Sequence, residues 1–281
     1  MLNYRHSNHA GNFADVVKHV ILVALLQTVT RKTTPCYFHD SHAGRGIYDL
    51  DTADACRDRE FESGIGRLWQ QMHAPPAVMQ YLEIVRQCNR GLPALRYYPG
   101  SPVIAQAMLR VQDRLLLTEL QPREHNELIR QFRADTRFQI HAYDAYAGLE
   151  AFLPPPEKRG LVLIDPAYED KAEYEQVLSG LIAAHARWRE GMYAIWYPLV
   201  SRELQARFLK DCIASGIRKQ LHVEFRIASF ASPCQFVGCG LVLVNPPWRL
   251  ETTIDTCLQW LRAPLQQAEQ AVVRVDWLVS E

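Results

Sequence analysis

From Leu115 onward the chain alternates short apolar runs with longer amphipathic stretches, and this alternation limits the fold more than any other feature. Residues 115–118, 138–141, 161–164, 192–196, 222–227, 240–244 and 272–278 read as strands. Residues 122–133, 147–152, 174–187 and 202–214 read as helices between them. A helix between successive strands points to parallel pairing, and a parallel sheet needs both faces covered. The expectation is one α/β domain over residues 1–281, with a mostly parallel sheet and helices on both faces.

Upstream, residues 13–30 carry a helical stripe through Val16, Val17, Val20, Ile21, Ala24 and Leu25. Cys36 to His39 forms a further strand ending at Asp40, and residues 102–110 form a helix opened by Gly100-Ser101-Pro102. Residues 49–96 lack strong strand signals. Within them, residues 65–72 and 77–88 look helical around Pro75-Pro76, which reads as a small helical insertion.

The composition removes several classes of protein. With 281 residues and 48% hydrophobic content, the chain can build a full core. No apolar stretch is long enough for a transmembrane helix, and the first residues lack the apolar centre of a secretory signal. The seven cysteines are scattered without a CxxC pair, which suits reduced thiols and a cytoplasmic location. The net charge is zero, which counts mildly against a nucleic-acid binder. Arginine nevertheless outnumbers lysine 25 to 6, and arginine grips phosphates and base planes well; GC-rich coding would give the same skew. Residues 1–48 are locally basic, and the acidic run over residues 49–62 reads as a solvated face.

In doubly wound folds ligands bind at the carboxyl ends of the strands. After the first strand comes Asp40-Ser41-His42-Ala43-Gly44-Arg45-Gly46, where Gly44 permits close backbone approach to a ligand; an ordinary tight turn reads equally well. Glu119 ends the next strand, where an acid can accept ribose hydroxyls or simply face water. Asp144, or the neighbouring amide at Ala145, then offers a contact for an adenine amino group, compatible with a helix cap. The run 161–164 leads into Asp165-Pro166-Ala167-Tyr168. Together these four sites match the layout of a Rossmann-like class I methyltransferase.

The tetrapeptide suits transfer to an exocyclic amino group. That nitrogen is a poor nucleophile, so the protein must orient it and favour the charge that develops on it. Asp165 and the Pro166 carbonyl are suited to accept both amino hydrogens, and Tyr168 offers a face for an extruded base. A rival motif, Asn245-Pro246-Pro247-Trp248, also follows an apolar run. It would serve protein glutamine methylation, but it comes too late in the chain to end the fourth strand. Trp248 remains a candidate for lining the substrate groove.

With these residues identified, the chain resembles the bacterial RlmJ family of 23S rRNA adenine-N6 methyltransferases over nearly its whole length. The resemblance is carried by Tyr4-Arg5-His6-Ser7, Asn8-His9-Ala10-Gly11-Asn12, Ala14-Asp15-Val16, Lys18-His19 and His42-Ala43-Gly44. It continues through Arg96-Tyr97-Tyr98-Pro99-Gly100-Ser101-Pro102, Leu117-Thr118-Glu119-Leu120, Trp196-Tyr197-Pro198 and Asn245-Pro246-Pro247-Trp248. It implies S-adenosyl-L-methionine as cofactor, held by Lys18, His19, His42, Ser101, Glu119 and Asp144, with naked or partly assembled 23S rRNA as substrate. It also implies Asp165 as the catalytic residue, Tyr4 beside the target nucleotide and residues 1–14 as a lid. One departure stands out: the family's usual tetrapeptide has a second proline where this chain has Ala167, which bears on the rate rather than the reaction.

Other readings remain. DNA adenine methylation would use the same motif, but no target-recognition domain follows the core. His6, His9, His39 and His42 form two His-x-x-His pairs, yet methyl transfer needs no metal, so none is expected. Tyr97 and Tyr98 read as packing residues. A monomer with no obligate protein partner and no membrane association is expected.

Overall fold

The computed structural model describes residues 6–231, 236–268 and 271–280. Ten strands occur in it: β1 Tyr37–Asp40, β2 Ile47–Asp49, β3 Tyr97–Pro99, β4 Arg114–Thr118, β5 Phe138–His141, β6 Gly160–Ile164, β7 Met192–Leu199, β8 Gln220–Arg226, β9 Gly238–Val244 and β10 Val272–Val279. The α-helices are α1 Phe13–Val29, α2 Ala53–Asp58, α3 Glu60–Ser63, α4 Pro76–Cys88, α5 Ser101–Met108, α6 Pro122–Phe132, α7 Ala145–Ala151, α8 Glu173–Arg187, α9 Arg202–Ala214 and α10 Leu250–Leu265.

Eight strands form one sheet in the order β10-β8-β9-β7-β6-β1-β4-β5, while β2 and β3 pair separately. Strands β5, β4, β1, β6 and β7 are parallel; β9 runs against β7 and β8, and β10 against β8. This is the mostly parallel α/β sheet that the alternation implied, in a Rossmann-like arrangement. The order reverses at β1, which has β4 on one side and β6 on the other. Ligand crevices open at such switch points.

Side chains alternate across the strands and divide the core. Leu161 and Leu163 of β6 join the layer built by α1, α4, α5 and α10, while Val162 and Ile164 face α7, α8 and α9. Helix α1 is buried on nearly every side, from Phe13 to Leu26. That explains its all-round apolar composition and makes the polar residues of its first turns informative: Asp15, Lys18 and His19 are buried with it.

Several expectations need correction. Residues 65–72 do not form a helix; only a 3-10 turn at Ile65–Arg67 appears, because the backbone closes i→i+3 turns, with the Leu68 amide on the Ile65 carbonyl at 2.9 Å and the Gln71 amide on the Leu68 carbonyl at 2.8 Å, in place of an unbroken α-helical ladder. Residues 49–96 instead fold as α2, α3, that turn and α4, flanked by the antiparallel pair β2–β3. The buried face of α4 belongs to the same cluster as α1. Helix α10 was not anticipated. Among the described residues, no helix is long and apolar enough to cross a membrane.

Candidate active site

A cleft of about 860 Å3 opens at the carboxyl ends of β1, β4, β6 and β7. Lys18, His19, His42, Gly44, Ser101, Glu119, Asp144, Ala145, Asp165, Pro166 and Tyr168 all line it. The structure therefore gathers every cofactor-binding and catalytic residue named from the sequence; Tyr4 lies outside the described residues.

The base of the cleft is a charge chain. Asp165, directly after β6, accepts a hydrogen bond from Lys18 Nζ at 2.6 Å, and the same ammonium donates to Asp15 Oδ1 at 2.8 Å. Asp15 Oδ2 is within 3.0 Å of His6 Nε2 and accepts from the Gly11 amide at 3.0 Å. Burial works against the Lys18 ammonium, but attraction to Asp15 and Asp165 outweighs it and holds its pKa well above the ordinary lysine value. Burial likewise opposes the Asp15 carboxylate, yet His6 and Lys18 keep its pKa well below the ordinary range.

His19, one residue further along α1, is 1% exposed. The Tyr98 hydroxyl bonds the Tyr81 hydroxyl at 3.1 Å and lies 2.8 Å from His19 Nδ1. With Tyr98 donating to Nδ1 the ring proton sits on Nε2, which has no partner and is buried at the cleft. Burial depresses the His19 pKa well below its usual value, so the ring is neutral. An unpartnered N–H donor beside the N-terminus of α5, at Gly100 and Ser101, suits a ligand carboxylate. This fits the amino-acid end of S-adenosylmethionine.

Across the cleft, Glu119 accepts from the Gly44 amide at 2.9 Å and the Gln121 amide at 2.7 Å. Gly44 has φ +62°, and a Cβ there would lie 2.3 Å from the Tyr48 hydroxyl, so glycine is strongly favoured. Glu119 thereby holds the glycine turn against β4 while lining the cleft. Burial raises its pKa. His42 Nδ1 lies 2.8 Å from Ser41 Oγ, and burial brings the pKa of His42 down to about 4. Asp144 caps α7 by accepting from the Ala147 amide at 2.9 Å. Tyr168 adopts φ +50° and donates its hydroxyl to the Trp196 carbonyl at 2.8 Å, which fixes the loop after Asp165.

Two site residues escaped the sequence reading. Asp15 links the N-terminal segment to Lys18. Asp40 ends β1 under the cleft, wholly buried, with Oδ2 unpartnered. Burial, reinforced by Asp165, raises its pKa to about 7. The signal for Asp40 was present, since the strand-end rule that found Glu119 and Asp165 also applies to β1.

Asn245-Pro246-Pro247-Trp248 lies elsewhere. Strand β9 is antiparallel to β7, so Val244 sits opposite Tyr193, at the far end of the sheet from the cleft. The Asn245 amide donates to the carbonyls of Arg189 at 2.7 Å and Gly191 at 2.8 Å. This topology removes the glutamine-methylation reading, and it moves Trp248 away from the groove. The acidic run also needs revision: Glu60 is half-buried, meeting His9 Nδ1 at 2.9 Å and Asn12 Nδ2 at 2.8 Å. His6 thus pairs with Asp15 and His9 with Glu60. Among the described residues, no group of three His, Cys, Asp or Glu side chains is arranged to hold a metal.

Comparison with known proteins gives consistent relatives. Residues 33–279 match the family described as "Ribosomal RNA large subunit methyltransferase D, RlmJ". The chain is 41% identical to ribosomal RNA large subunit methyltransferase J of Escherichia coli (strain K12), covering all of both chains. It is 39% identical to the protein of the same name from Haemophilus influenzae, again over the whole of both. The crystal structure of a Legionella pneumophila protein superposes with a TM-score of 0.89 at 35% identity, covering 96% of this chain and 98% of that one.

Proposed function

The chain belongs to the ribosomal RNA large subunit methyltransferase J family, and we propose that it methylates the N6 amino group of an adenine in 23S rRNA, with S-adenosylmethionine as donor. The observation that carries this reading is the position of Asp165-Pro166-Ala167-Tyr168 in one cleft with Glu119, Asp144 and the open donor of His19. The cleft volume is sufficient for a nucleoside cofactor and a base side by side.

When bound, the cofactor supplies a methyl already activated on sulfonium. His19 Nε2 and the N-terminus of α5 would hold its carboxylate, and Glu119 its ribose. Asp165 and the Pro166 carbonyl accept the two amino hydrogens and so fix the direction of the nitrogen lone pair. The Asp165 carboxylate opposes the positive charge that develops on that nitrogen. Lys18 holds Asp165 at one oxygen and leaves the other for the amino group. Tyr168, braced against Tyr174 with ring centroids 4.6 Å apart, lines the base side of the cleft. An rRNA substrate places the reaction in the cytoplasm.

The test is transfer of labelled methyl from S-adenosylmethionine to protein-free, unmodified 23S rRNA. Label is expected in N6-methyladenine, lost by at least a hundredfold in Asp165→Ala and retained in Asn245→Ala. Label appearing on duplex DNA but not on the transcript would overturn the substrate assignment.

A further inference from the structure

At the end of the sheet opposite the cleft, four strands begin side by side. Tyr37 of β1 is in register with Arg114 of β4 and Gly160 of β6, and Leu115 of β4 with Phe138 of β5. The segments that lead into them, residues 30–36, 109–114, 133–137 and 153–159, therefore share one surface, roughly 15 Å wide at the spacing of neighbouring strands. These segments carry eight arginine or lysine residues and three acids, in a chain whose total charge is zero.

Each acid is already taken by one arginine. Arg110 pairs with Asp113 at 2.8 Å, Arg114 with Glu157 at 2.9 Å and Arg137 with Asp135 at 2.6 Å. That leaves five cations with no carboxylate in contact among the described residues. Arg159 ties the surface together by donating to the carbonyls of Thr34 and Val29, each at 2.8 Å. Those carbonyls accept its hydrogens without cancelling its charge. The side chains of Arg31, Lys32, Arg133 and Lys158 are exposed and make no hydrogen bond or ion pair among the described residues. They contribute no contact to the fold. The adjoining segment ahead of β7 carries Arg187 and Arg189 against Glu190, so it does not reverse the excess.

Like charges gathered on an exposed face repel one another and a second copy of the same face, and a polyanion relieves that repulsion. We infer that this pole is a second contact for the RNA substrate, gripping its phosphodiester backbone outside the target nucleotide. The four segments contain no aromatic residue, so they offer no platform for a base, and the contact is independent of base sequence. Strand β6 runs from this pole to Asp165, and its five residues put the carboxylate roughly 15 Å away. The RNA held here is therefore remote from the adenine in the cleft. The inference rests on the reading of the substrate as a large RNA.

The test is equilibrium binding of protein-free 23S rRNA transcript across a salt series. It compares wild type, a patch variant combining Arg31→Gln, Lys32→Gln and Lys158→Gln, and a charge-matched control combining Lys210→Gln, Arg262→Gln and Arg274→Gln, three exposed cations elsewhere. Melting temperature, S-adenosylmethionine affinity and binding to vesicles of phosphatidylserine and phosphatidylcholine are measured alongside. The patch variant is expected to bind the transcript about tenfold more weakly, with a log–log salt slope shallower by about two. Its KM for the transcript should rise, while kcat, cofactor affinity and melting stay at wild-type values. The control should lose less than about twofold. Equal losses in the two variants would overturn the surface in favour of bulk charge. Transcript binding and KM of the patch variant equal to wild type would overturn it while leaving the methylation reading intact. Vesicle binding lost in the patch variant, with transcript binding unchanged, would overturn it in favour of an anionic membrane. Transcript binding weakened in the patch variant alone, in a wild type that transfers no methyl to the transcript, would uphold the surface and refute the methylation reading.

Discussion

Asp15 shows how much a site depends on side chains that never reach the ligand. Its two oxygens join His6, the Gly11 amide and Lys18, and Lys18 in turn holds Asp165. Asp15→Asn keeps the shape and removes the charge, leaving the buried ammonium with one carboxylate. Loss of a charged hydrogen-bond partner costs about 1.5–3 kcal/mol, which should appear as a lowered melting temperature. The kcat for methyl transfer should fall by about tenfold or more, with the cofactor Kd little changed, because Asp15 acts through Lys18; a fall in cofactor affinity alone would refute that role. Asp165 was legible from sequence because its neighbours in the chain, an apolar strand and Pro166, announce it. Asp15 was not, because the contact that gives it meaning runs through Lys18 to a residue 147 positions beyond that lysine.

Elements reveal where local pattern stops informing. Parallel strands and their helices were read correctly because alternation and helical stripes are local signals. The stripe of α10 through Leu250, Ile254, Leu258, Leu261 and Leu265 was equally local, but Pro264 inside its last turn argues against a helix. The missing helix at 65–72 is a different case: the backbone there closes i→i+3 turns, while the Ile65 amide meets the Gly11 carbonyl across the seam between α3 and the segment preceding α1. That seam is tight: a Cβ on Gly64 would lie 2.1 Å from the Gly11 carbonyl oxygen and 2.6 Å from the Asn12 carbonyl carbon. Both neighbours are backbone and cannot rotate away. Gly64→Ala should therefore force apart the segment carrying His6, His9 and Asn12, lowering stability by about 1–3 kcal/mol. Proteolysis near residue 11 should become faster. Melting at the wild-type temperature with unchanged proteolysis would show that the seam yields at no cost.

Over the whole molecule, zero net charge means that general repulsion is small near neutrality, so the pH dependence of stability falls to buried groups. Burial depresses three histidines near the site: His39 to about 3, His42 to about 4, and His19 well below its usual value. Each is neutral in the folded chain and protonates near 6.5 when unfolded, so the unfolded state takes up more protons on acidification. The stability these groups contribute is present above about pH 6.5 and is lost as the pH falls toward 4 and 3. Asp40 acts in the opposite sense. Its folded pKa of about 7 exceeds the ordinary 3.8, so its contribution is present below 3.8 and is lost as the pH rises through 7. Each fully mismatched group changes stability by about 1.4 kcal/mol per pH unit. Three histidines against one carboxylate leave a net loss of about 1–3 kcal/mol per unit between pH 6 and 4.5. Denaturant unfolding of the ligand-free protein should thus show greatest stability between about pH 6 and 7 and a steep fall on the acid side. Asp40→Asn separates the two contributions: without the opposing carboxylate, the acid-side fall should steepen and stability at pH 8 should rise. A flat profile from pH 7 to 5 in the wild type, or an Asp40→Asn profile parallel to it, would mean that these groups titrate alike in the folded and unfolded chain, and that the cleft is wetter than its burial implies.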